Sequence, residues 1–160
     1  MTQEEKIKWL MKLLRFRFSW YVRRCAARKL GSLRDIRAVP VLIEAFKDSD
    51  YQVRIAVVEA LGDIGDAKVV PAFMEALQDR GGTLRESIVE ALGKIGDARA
   101  VPILIRMLKS GDKVVRWSAQ QALGRMGVSA ILPLAEALKE RDWEVRSSAA
   151  RALGDIGDSR

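Results

Sequence analysis

The fold is indicated by the sequence ALGKIGDARAVP at residues 91–102, which has a near copy, ALGDIGDAKVVP, at residues 60–71. The Leu-Gly pair inside this motif occurs five times, at Leu30-Gly31, Leu61-Gly62, Leu92-Gly93, Leu123-Gly124 and Leu153-Gly154, with successive offsets of 31, 31, 31 and 30 residues. A fixed period of about 20–50 residues is typical of repeat proteins, in which each unit buries its apolar face against its neighbours. The sequence therefore predicts a repeat array.

Two further residue types recur with the same period. An arginine follows an apolar residue at Arg23, Arg54, Arg85, Arg116 and Arg146, and a proline occurs at Pro40, Pro71, Pro102 and Pro133. In the fourth repeat the Gly-Asp turn is shortened to Gly127-Val128, which moves Pro133 one register later than its counterparts. These positions predict a single array over residues 1–160, with units at about 1–34, 35–65, 66–96, 97–127 and 128–160.

Each unit carries two segments with apolar residues at helical spacing, which we call helix A and helix B. In the second unit these residues are Val39, Leu42, Ile43 and Phe46 in helix A, and Val53, Val57, Ala60, Leu61 and Ile64 in helix B. Such spacing predicts helices with one buried face. Side chains that can cap helix B precede it in four units (Ser19, Asp50, Asp112 and Asp142), with Gly81 in the third. The prolines lie where helix A is expected to begin.

The runs around residues 53–66 and 91–102 resemble HEAT repeats of the phycobilisome-lyase-like (PBS lyase) subclass, and the resemblance covers nearly the whole chain. It implies an all-α fold, a right-handed α-solenoid of about five two-helix HEAT-like repeats. Members of this subclass range from bilin-attachment proteins to scaffolds, so the resemblance alone does not fix the function.

The resemblance also bears on the repeated arginines. Asp48, Asp79 and Glu140 lie six residues before Arg54, Arg85 and Arg146, and in this family such spacing is similar to a structural acid–arginine ladder that ties a loop to helix B. Ser110 and Arg17 stand at the acidic position of the fourth and first units. The arginines are therefore interpreted as structural rather than as a row of anion-binding groups.

The composition argues against several classes of enzyme. The chain has no histidine and one cysteine, Cys25, so it cannot by itself supply a zinc site of Cys and His, a serine triad or a Cys-His dyad. We expect no enzymatic activity, no catalytic or metal-binding residue and no cofactor. The sequence contains no apolar run long enough to span a membrane, and a cytoplasmic location is expected.

The positive charge is concentrated at the N-terminus. Residues 1–38 contain eleven Lys/Arg and three Asp/Glu, whereas residues 39–160 contain seventeen and eighteen. The first unit is therefore predicted to be a basic, aromatic-rich N-terminal cap that attracts an acidic partner.

In such arrays the B helices line one concave face, and residues outside their buried stripe are free to contact a ligand. The positions predicted to bind a partner on this basis are Trp20, Tyr21, Arg24, Arg28, Tyr51, Ile55, Lys113, Trp117, Arg125, Trp143 and Arg151. Aromatic residues beside arginine are typical of protein interfaces. The alternative interpretation is that each tryptophan packs on the loop of the next unit.

The first helix carries a second apolar face, formed by Trp9, Leu13 and Phe16, opposite a basic strip of Lys8, Lys12 and Arg15. Three interpretations stay open for it: a solvent-facing cap, a docking face for a partner or a second copy, and a basic amphipathic helix lying on an anionic membrane. Of these, the membrane surface is the least favoured.

Three functions follow from these observations. The leading hypothesis is a non-catalytic protein-interaction scaffold that binds an acidic partner through the B-helix face and the basic first unit. Nucleic-acid binding is the second candidate because of the basic N-terminus. A bilin lyase or isomerase subunit is the third, and it follows only from the resemblance.

Since the sequence stops at Arg160, where a sixth helix A would begin, the array is expected to be trimmed, to continue, or to make an end-to-end contact with another molecule.

Overall fold

The computed structural model of the chain describes residues 2–15, 19–78 and 84–158. Within these ranges it contains ten α-helices and no strand, which confirms the predicted all-α class. The helices are α1 (Gln3–Arg15), α2 (Trp20–Leu33), α3 (Val39–Ala45), α4 (Tyr51–Ile64), α5 (Val70–Ala76), α6 (Arg85–Ile95), α7 (Val101–Met107), α8 (Lys113–Met126), α9 (Val128–Ala137) and α10 (Trp143–Asp158). They form two compact units, residues 1–69 and 70–160. From here on, the first unit and the second unit are these two parts of the chain, and the five sequence units are called repeats. That all repeats form one right-handed array stays a prediction.

The first unit contains α1 to α4. The two B helices, α2 and α4, lie side by side, α1 packs on α2, and α3 packs on α4. The buried side chains are those of the predicted apolar stripes, among them Ile7, Leu10, Leu14, Leu30, Leu42, Val57 and Leu61. Burial of one such side chain is worth about 1.5–3 kcal/mol, so the stripes account for the packing of the helices.

The second unit contains α5 to α10 and repeats this arrangement. Helix α8 packs between the other two B helices, α6 and α10, while α7 contacts α8 and α9 contacts α10. Its core is formed by residues of the same registers, including Phe73, Ile88, Leu92, Leu104, Leu108, Leu123 and Leu134. The repeat period of the sequence thus corresponds to a repeated helix pair.

Neighbouring B helices approach closely at the glycine of the Leu-Gly motif. A Cβ atom placed on Gly31 would lie 2.7 Å from the Cα atom of Ala60, and one on Gly93 would lie 2.7 Å from the Cα atom of Ala122. Both distances are shorter than any van der Waals contact. At these two positions glycine is therefore needed because the backbone of the adjacent helix occupies the space of a side chain.

The predicted capping residues behave as expected in three of the described B helices. The Asp50 carboxylate accepts hydrogen bonds from the N–H groups of Gln52 and Val53, at 2.8 and 3.2 Å. Asp112 and Asp142 each accept one backbone N–H, both at 2.8 Å. Ser19 occupies the capping position of α2, but its side chain makes no capping hydrogen bond. The helix start there is exposed, so water can satisfy its free N–H groups. Gly81 lies outside the described residues.

One proline departs from the prediction. Pro40 and Pro102 lie in the first turn of α3 and α7, as expected, whereas Pro133 lies inside α9. In the second, third and fourth repeats a short 3-10 turn precedes helix A, at residues 36–38, 67–69 and 98–100. The shortened turn at Gly127-Val128 leaves no room for it, so α9 begins at Val128 and Pro133 is its sixth residue.

None of the helices in the described part of the chain is long and apolar enough to cross a membrane.

Candidate partner-binding faces

The repeated arginines tie each loop to helix B, but through main-chain acceptors. Arg54 donates to the carbonyl oxygen of Asp48 at 2.7 Å, Arg116 to that of Ser110 at 2.5 Å, and Arg146 to that of Glu140 at 2.8 Å. The structural interpretation of these three arginines therefore holds, but the predicted partner atom was wrong. Because the acceptor is a carbonyl group, Ser110 serves as well as an acidic residue. Asp79 and Arg17 lie outside the described residues.

The acidic side chain of the loop pairs instead with the preceding repeat. Arg23 of α2 makes two hydrogen bonds to the Asp48 carboxylate, with Nε to Oδ2 at 2.7 Å and Nη2 to Oδ1 at 2.8 Å. In the second unit, the loop acid Glu140 accepts a hydrogen bond from Lys109 at 2.8 Å, and Arg116 of α8 pairs with Glu144, which lies in α10, at 3.1 Å. These arginines join neighbouring repeats and are not available to a ligand.

Three predicted residues of α2 form a stacked cluster. The Arg24 guanidinium carbon lies 5.2 Å from the centre of the Trp20 ring and 5.4 Å from that of Tyr21, within the range of cation–π attraction. The two rings meet edge to face, with 6.0 Å between their centres. Both rings are exposed, and the Arg24 Nε atom is buried without a hydrogen-bond partner. We call Trp20, Tyr21 and Arg24 the α2 cluster.

A small cleft between α2 and α4 adjoins this cluster. It has a volume of about 80 Å³ and is lined by Arg24, Arg28, Gln52, Ile55, Ala56 and Glu59. The structure thus brings together the predicted residues Arg24, Arg28 and Ile55. Arg28 is exposed and Glu59 is half-buried, and they lie 3.9 Å apart, at the limit of an ion pair. Tyr51 is exposed at the start of α4 but does not line the cleft.

A larger cleft of about 230 Å³ lies between α8 and α10. We call it the α8–α10 cleft; its lining residues are Lys113, Arg116, Trp117, Gln120, Trp143, Glu144, Ser147, Ser148 and Arg151. Four of the predicted residues, Lys113, Trp117, Trp143 and Arg151, therefore meet here. Trp117 and Trp143 are 57% and 67% exposed, so neither is buried against a loop. Arg125 is exposed on α8 outside the cleft lining.

Gln120 lines this cleft but was not predicted. It is only 8% exposed, although it is polar. The residues at the same register of α2, α4 and α6 are Ala27, Val58 and Val89, which are apolar and buried. A polar residue at a position that is apolar in the other repeats was the signal that would have found it.

The second face of α1 is only partly defined. Trp9 is exposed, Leu13 is half-buried and Phe16 lies outside the described residues. Lys8 pairs with Glu4 one turn earlier, at 2.6 Å. The three interpretations of this face therefore stay open.

Some of the positively charged side chains in residues 1–38 have no acidic partner. Among the residues with a described position, Lys6, Lys12, Arg24, Lys29 and Arg34 have no acidic partner. The first unit therefore presents free cations as well as exposed aromatic rings.

The carboxyl groups with shifted pKa values are all shifted downward in the part of the chain that is described. Hydrogen bonds from the Arg37 and Arg99 side chains, together with those from their backbone N–H groups, lower the pKa values of Asp35 and Asp97 to about 2. Groups with such values are permanently ionised near neutral pH, whereas a general acid needs a raised pKa. No cluster of potential metal ligands occurs among the described residues.

Solved structures with a similar fold include both natural and engineered proteins. The complex of CpcE and CpcF of phycocyanin lyase from Nostoc sp. PCC7120 contains a chain with 27% identity and a TM-score of 0.68, over 97% of this chain and 66% of that one. An engineered protein has 24% identity and a TM-score of 0.66, over 94% of this chain and 78% of that one. A designed armadillo repeat protein in complex with the peptide (KR)4 has 18% identity and a TM-score of 0.58, over 92% and 80%.

The sequence family is established independently of these structures. No curated protein sequence matches the chain. The family model for HEAT repeats matches residues 7–92, 42–124 and 108–160, which together cover nearly the whole chain. This match agrees with the helix pairs and with the glycine contacts between B helices. The chain belongs to the HEAT repeat family.

Proposed function

We propose that this chain is a non-catalytic protein-interaction module, which binds a partner with an acidic surface through its B-helix faces and its basic first repeat. The observation that carries the proposal is the α2 cluster, in which an arginine without an acidic partner lies against two exposed aromatic rings. Trp, Tyr and Arg residues dominate the energetics of protein interfaces. Trp117, Trp143 and Arg151 supply the same residue types in the second unit.

The family supports binding of a protein as the general role. HEAT and armadillo repeat folds bind protein partners. The absence of histidine from the sequence removes the side chain that most often serves as a general acid or base, which favours binding over acid–base catalysis. The free cations of the first unit favour an acidic partner, because opposite charges accelerate encounter and exclude partners of like charge.

The experiment is chemical crosslinking of the tagged protein in cells of its source, after nuclease treatment, followed by calorimetry with the purified partner. The test variant is Arg24→Glu/Arg28→Glu/Trp117→Ala, which alters both units. We expect the variant to bind about 100-fold or more weakly, because loss of hot-spot residues costs at least about 2 kcal/mol each. Unchanged affinity would refute the proposal.

Nucleic-acid binding is the second candidate, favoured by the uncommitted cations of residues 1–38. A phosphate-driven complex would lose about 1,000-fold or more in affinity between about 50 and 200 mM salt. The near-balanced charge of residues 39–160 argues against a long phosphate track.

A lyase-type subunit is a further candidate, favoured by the likeness to the phycocyanin lyase complex. The chain spans 66% of the length of that relative, so its activity is a separate hypothesis. Coexpression with a bilin pathway and a phycobiliprotein tests it. New bilin absorbance on the phycobiliprotein would support a lyase role and contradict the non-catalytic proposal.

A further inference from the structure

The α8–α10 cleft contains a buried polar side chain that lacks a partner. Gln120 is more than nine-tenths buried and lines the cleft, and among the described residues its side chain makes no hydrogen bond. Its amide atoms are not among the polar atoms that are fully sealed from solvent, so the amide opens onto the cleft, where water or a ligand can bond to it.

The fold itself does not require an amide at this position. The equivalent residues of α2, α4 and α6, namely Ala27, Val58 and Val89, are buried apolar side chains, and that of α10, Ala150, is apolar but exposed. The amide of Gln120 also differs from the hydroxyl of Ser118, which is fully sealed from solvent. The Gln120 amide remains reachable from the cleft and is therefore positioned to bond a group that enters it.

The cleft is lined by more positively charged than negatively charged side chains. Arg116 is not free to bind a ligand, because it pairs with Glu144 and donates to the carbonyl oxygen of Ser110. Lys113 and Arg151 have no acidic partner within the described ranges. One neutralised acid and two free cations make the cleft complementary to an anionic group.

The size of the cleft and its aromatic walls restrict what that group can be. Its volume of about 230 Å³ is below the roughly 300–1,000 Å³ of pockets that enclose drug-sized ligands, so it suits a side chain of a larger molecule. Trp117 and Trp143 are exposed beside it and can cover the adjoining chain. Residues 70–160 carry fourteen Lys/Arg and twelve Asp/Glu, a net charge of only +2, which does not attract a phosphate backbone.

We infer that the α8–α10 cleft is a receptor for the carboxylate of a Glu or Asp side chain in an acidic segment of a partner protein. This inference rests on the proposed protein-binding function and assigns it a specific site. Lys113 and Arg151 neutralise the carboxylate, the Gln120 Nε2 group donates a hydrogen bond to it, and the two tryptophans pack on the flanking residues. The basic first unit then supplies general attraction, while this cleft supplies selectivity.

The test is selection from a displayed random-peptide library on the whole chain, followed by anisotropy with a labelled synthetic copy of the enriched peptide. The variants are Lys113→Gln/Arg151→Gln, which lie on the surface, and Gln120→Glu, which keeps the shape of the side chain but reverses its interaction with a carboxylate. Arg106→Gln is the control, since it removes one exposed positive charge of α7 that does not line the cleft. Circular dichroism checks that each variant is folded.

We expect enriched peptides with a fixed Glu or Asp, whose replacement by Gln or Asn weakens binding about tenfold, the value of one charge-assisted hydrogen bond. Gln120→Glu and the double variant should each lower the affinity for the acidic peptide by at least that factor. Arg106→Gln should leave this affinity unchanged. An acidic peptide bound equally by the cleft variants but lost by Arg24→Glu/Arg28→Glu would overturn the inference and leave the proposed function standing. Enrichment without an acidic position would overturn the inference and also the acidic character of the partner, while binding of a protein would stand. Binding of oligonucleotides in place of any peptide would overturn both.

Discussion

At the scale of single residues, the Arg23–Asp48 pair joins two repeats of the first unit. The side chains are 15% and 10% exposed, so the pair is largely withdrawn from water. The Asp48 carboxylate also accepts the N–H group of Asp50 at 2.9 Å. Two parallel bonds to one guanidinium fix the geometry of both side chains, which positions the loop before α4 against α2.

Removal of Arg23 tests this role. Arg23→Met leaves a mostly buried carboxylate without its counter-ion, and we expect the free energy of unfolding in urea to fall by about 2–4 kcal/mol. Lys8→Met is the control, because its pair with Glu4 is exposed on one helix turn and contributes little. Equal losses in the two variants would contradict a structural role for the buried pair.

The same pair makes stability depend on pH. Burial alone would raise the pKa of Asp48, but the hydrogen bonds from Arg23 and from the Asp50 N–H group lower it below its ordinary value of 3.8. A lowered native pKa contributes stability that is present above the ordinary value and is lost as the pH falls through the native value. We therefore expect the wild type to lose stability below about pH 4 more steeply than Asp48→Asn. Parallel pH profiles in urea titrations would show that Asp48 has no such role.

Residue-level features were only partly predictable from the sequence. The structural role of the repeated arginines followed from their spacing, whereas their acceptors did not, because a main-chain carbonyl leaves no mark in the sequence. The stacking of Arg24 on Trp20 and Tyr21 depends on side-chain conformations, and the sequence indicates only that the three share a helix. Gln120 was missed because its register position, that of Val58 in α4, belonged neither to the predicted apolar stripe nor to the predicted binding positions.

At the scale of helices, the close approach of B helices depends on glycine. We expect Gly31→Ala and Gly93→Ala to destabilise the protein by about 1–2 kcal/mol, because the added methyl group meets the backbone of the next helix and outweighs the better helix propensity of alanine. Gly154→Ala is the matched control, since nothing lies within 4 Å of the added atom. It should instead stabilise α10 by about 0.5–1 kcal/mol. A gain in all three variants on urea denaturation would contradict the packing argument.

Helix α9 carries a defect that the other A helices lack. Pro133 lies at the sixth position, where a backbone N–H would normally bond to the carbonyl of Ser129. We expect Pro133→Ala to raise the free energy of unfolding by about 1–3 kcal/mol. Pro102→Ala, in the first turn of α7, should give no gain, because no hydrogen bond is missing there. An equal change in the free energy of unfolding of both variants, measured by thermal unfolding, would show that Pro133 causes no strain.

The element-level prediction from the sequence succeeded where periodicity carries the information. Apolar spacing at helical intervals placed the helix pairs, and aspartates placed three of the helix starts. The position of Pro133 was wrong, because a one-residue deletion in a turn can be absorbed either by the loop or by the helix. The sequence pattern cannot distinguish these two outcomes, whereas the backbone geometry can.

At the scale of the whole molecule, charge and aromatic residues are distributed unequally between the two compact units. The first unit carries most of the excess positive charge together with the α2 cluster, and the second unit is nearly neutral with a cationic cleft. The sequence predicted the asymmetry of charge directly, since it needs only counting. The partner remains a proposal, because a helix repeat fold hosts many different ligands.

The central claim is that this chain binds protein rather than nucleic acid, and one titration tests it most directly. The anisotropy of a library-selected acidic peptide and of labelled duplex and single-stranded oligonucleotides is measured at about 50 and 200 mM salt, for the wild type and Arg24→Glu/Arg28→Glu/Trp117→Ala. We predict that the peptide binds at both salt concentrations, that the variant loses it, and that oligonucleotides bind weakly and only at low salt. Tight oligonucleotide binding that the variant abolishes, without peptide binding, would contradict the account.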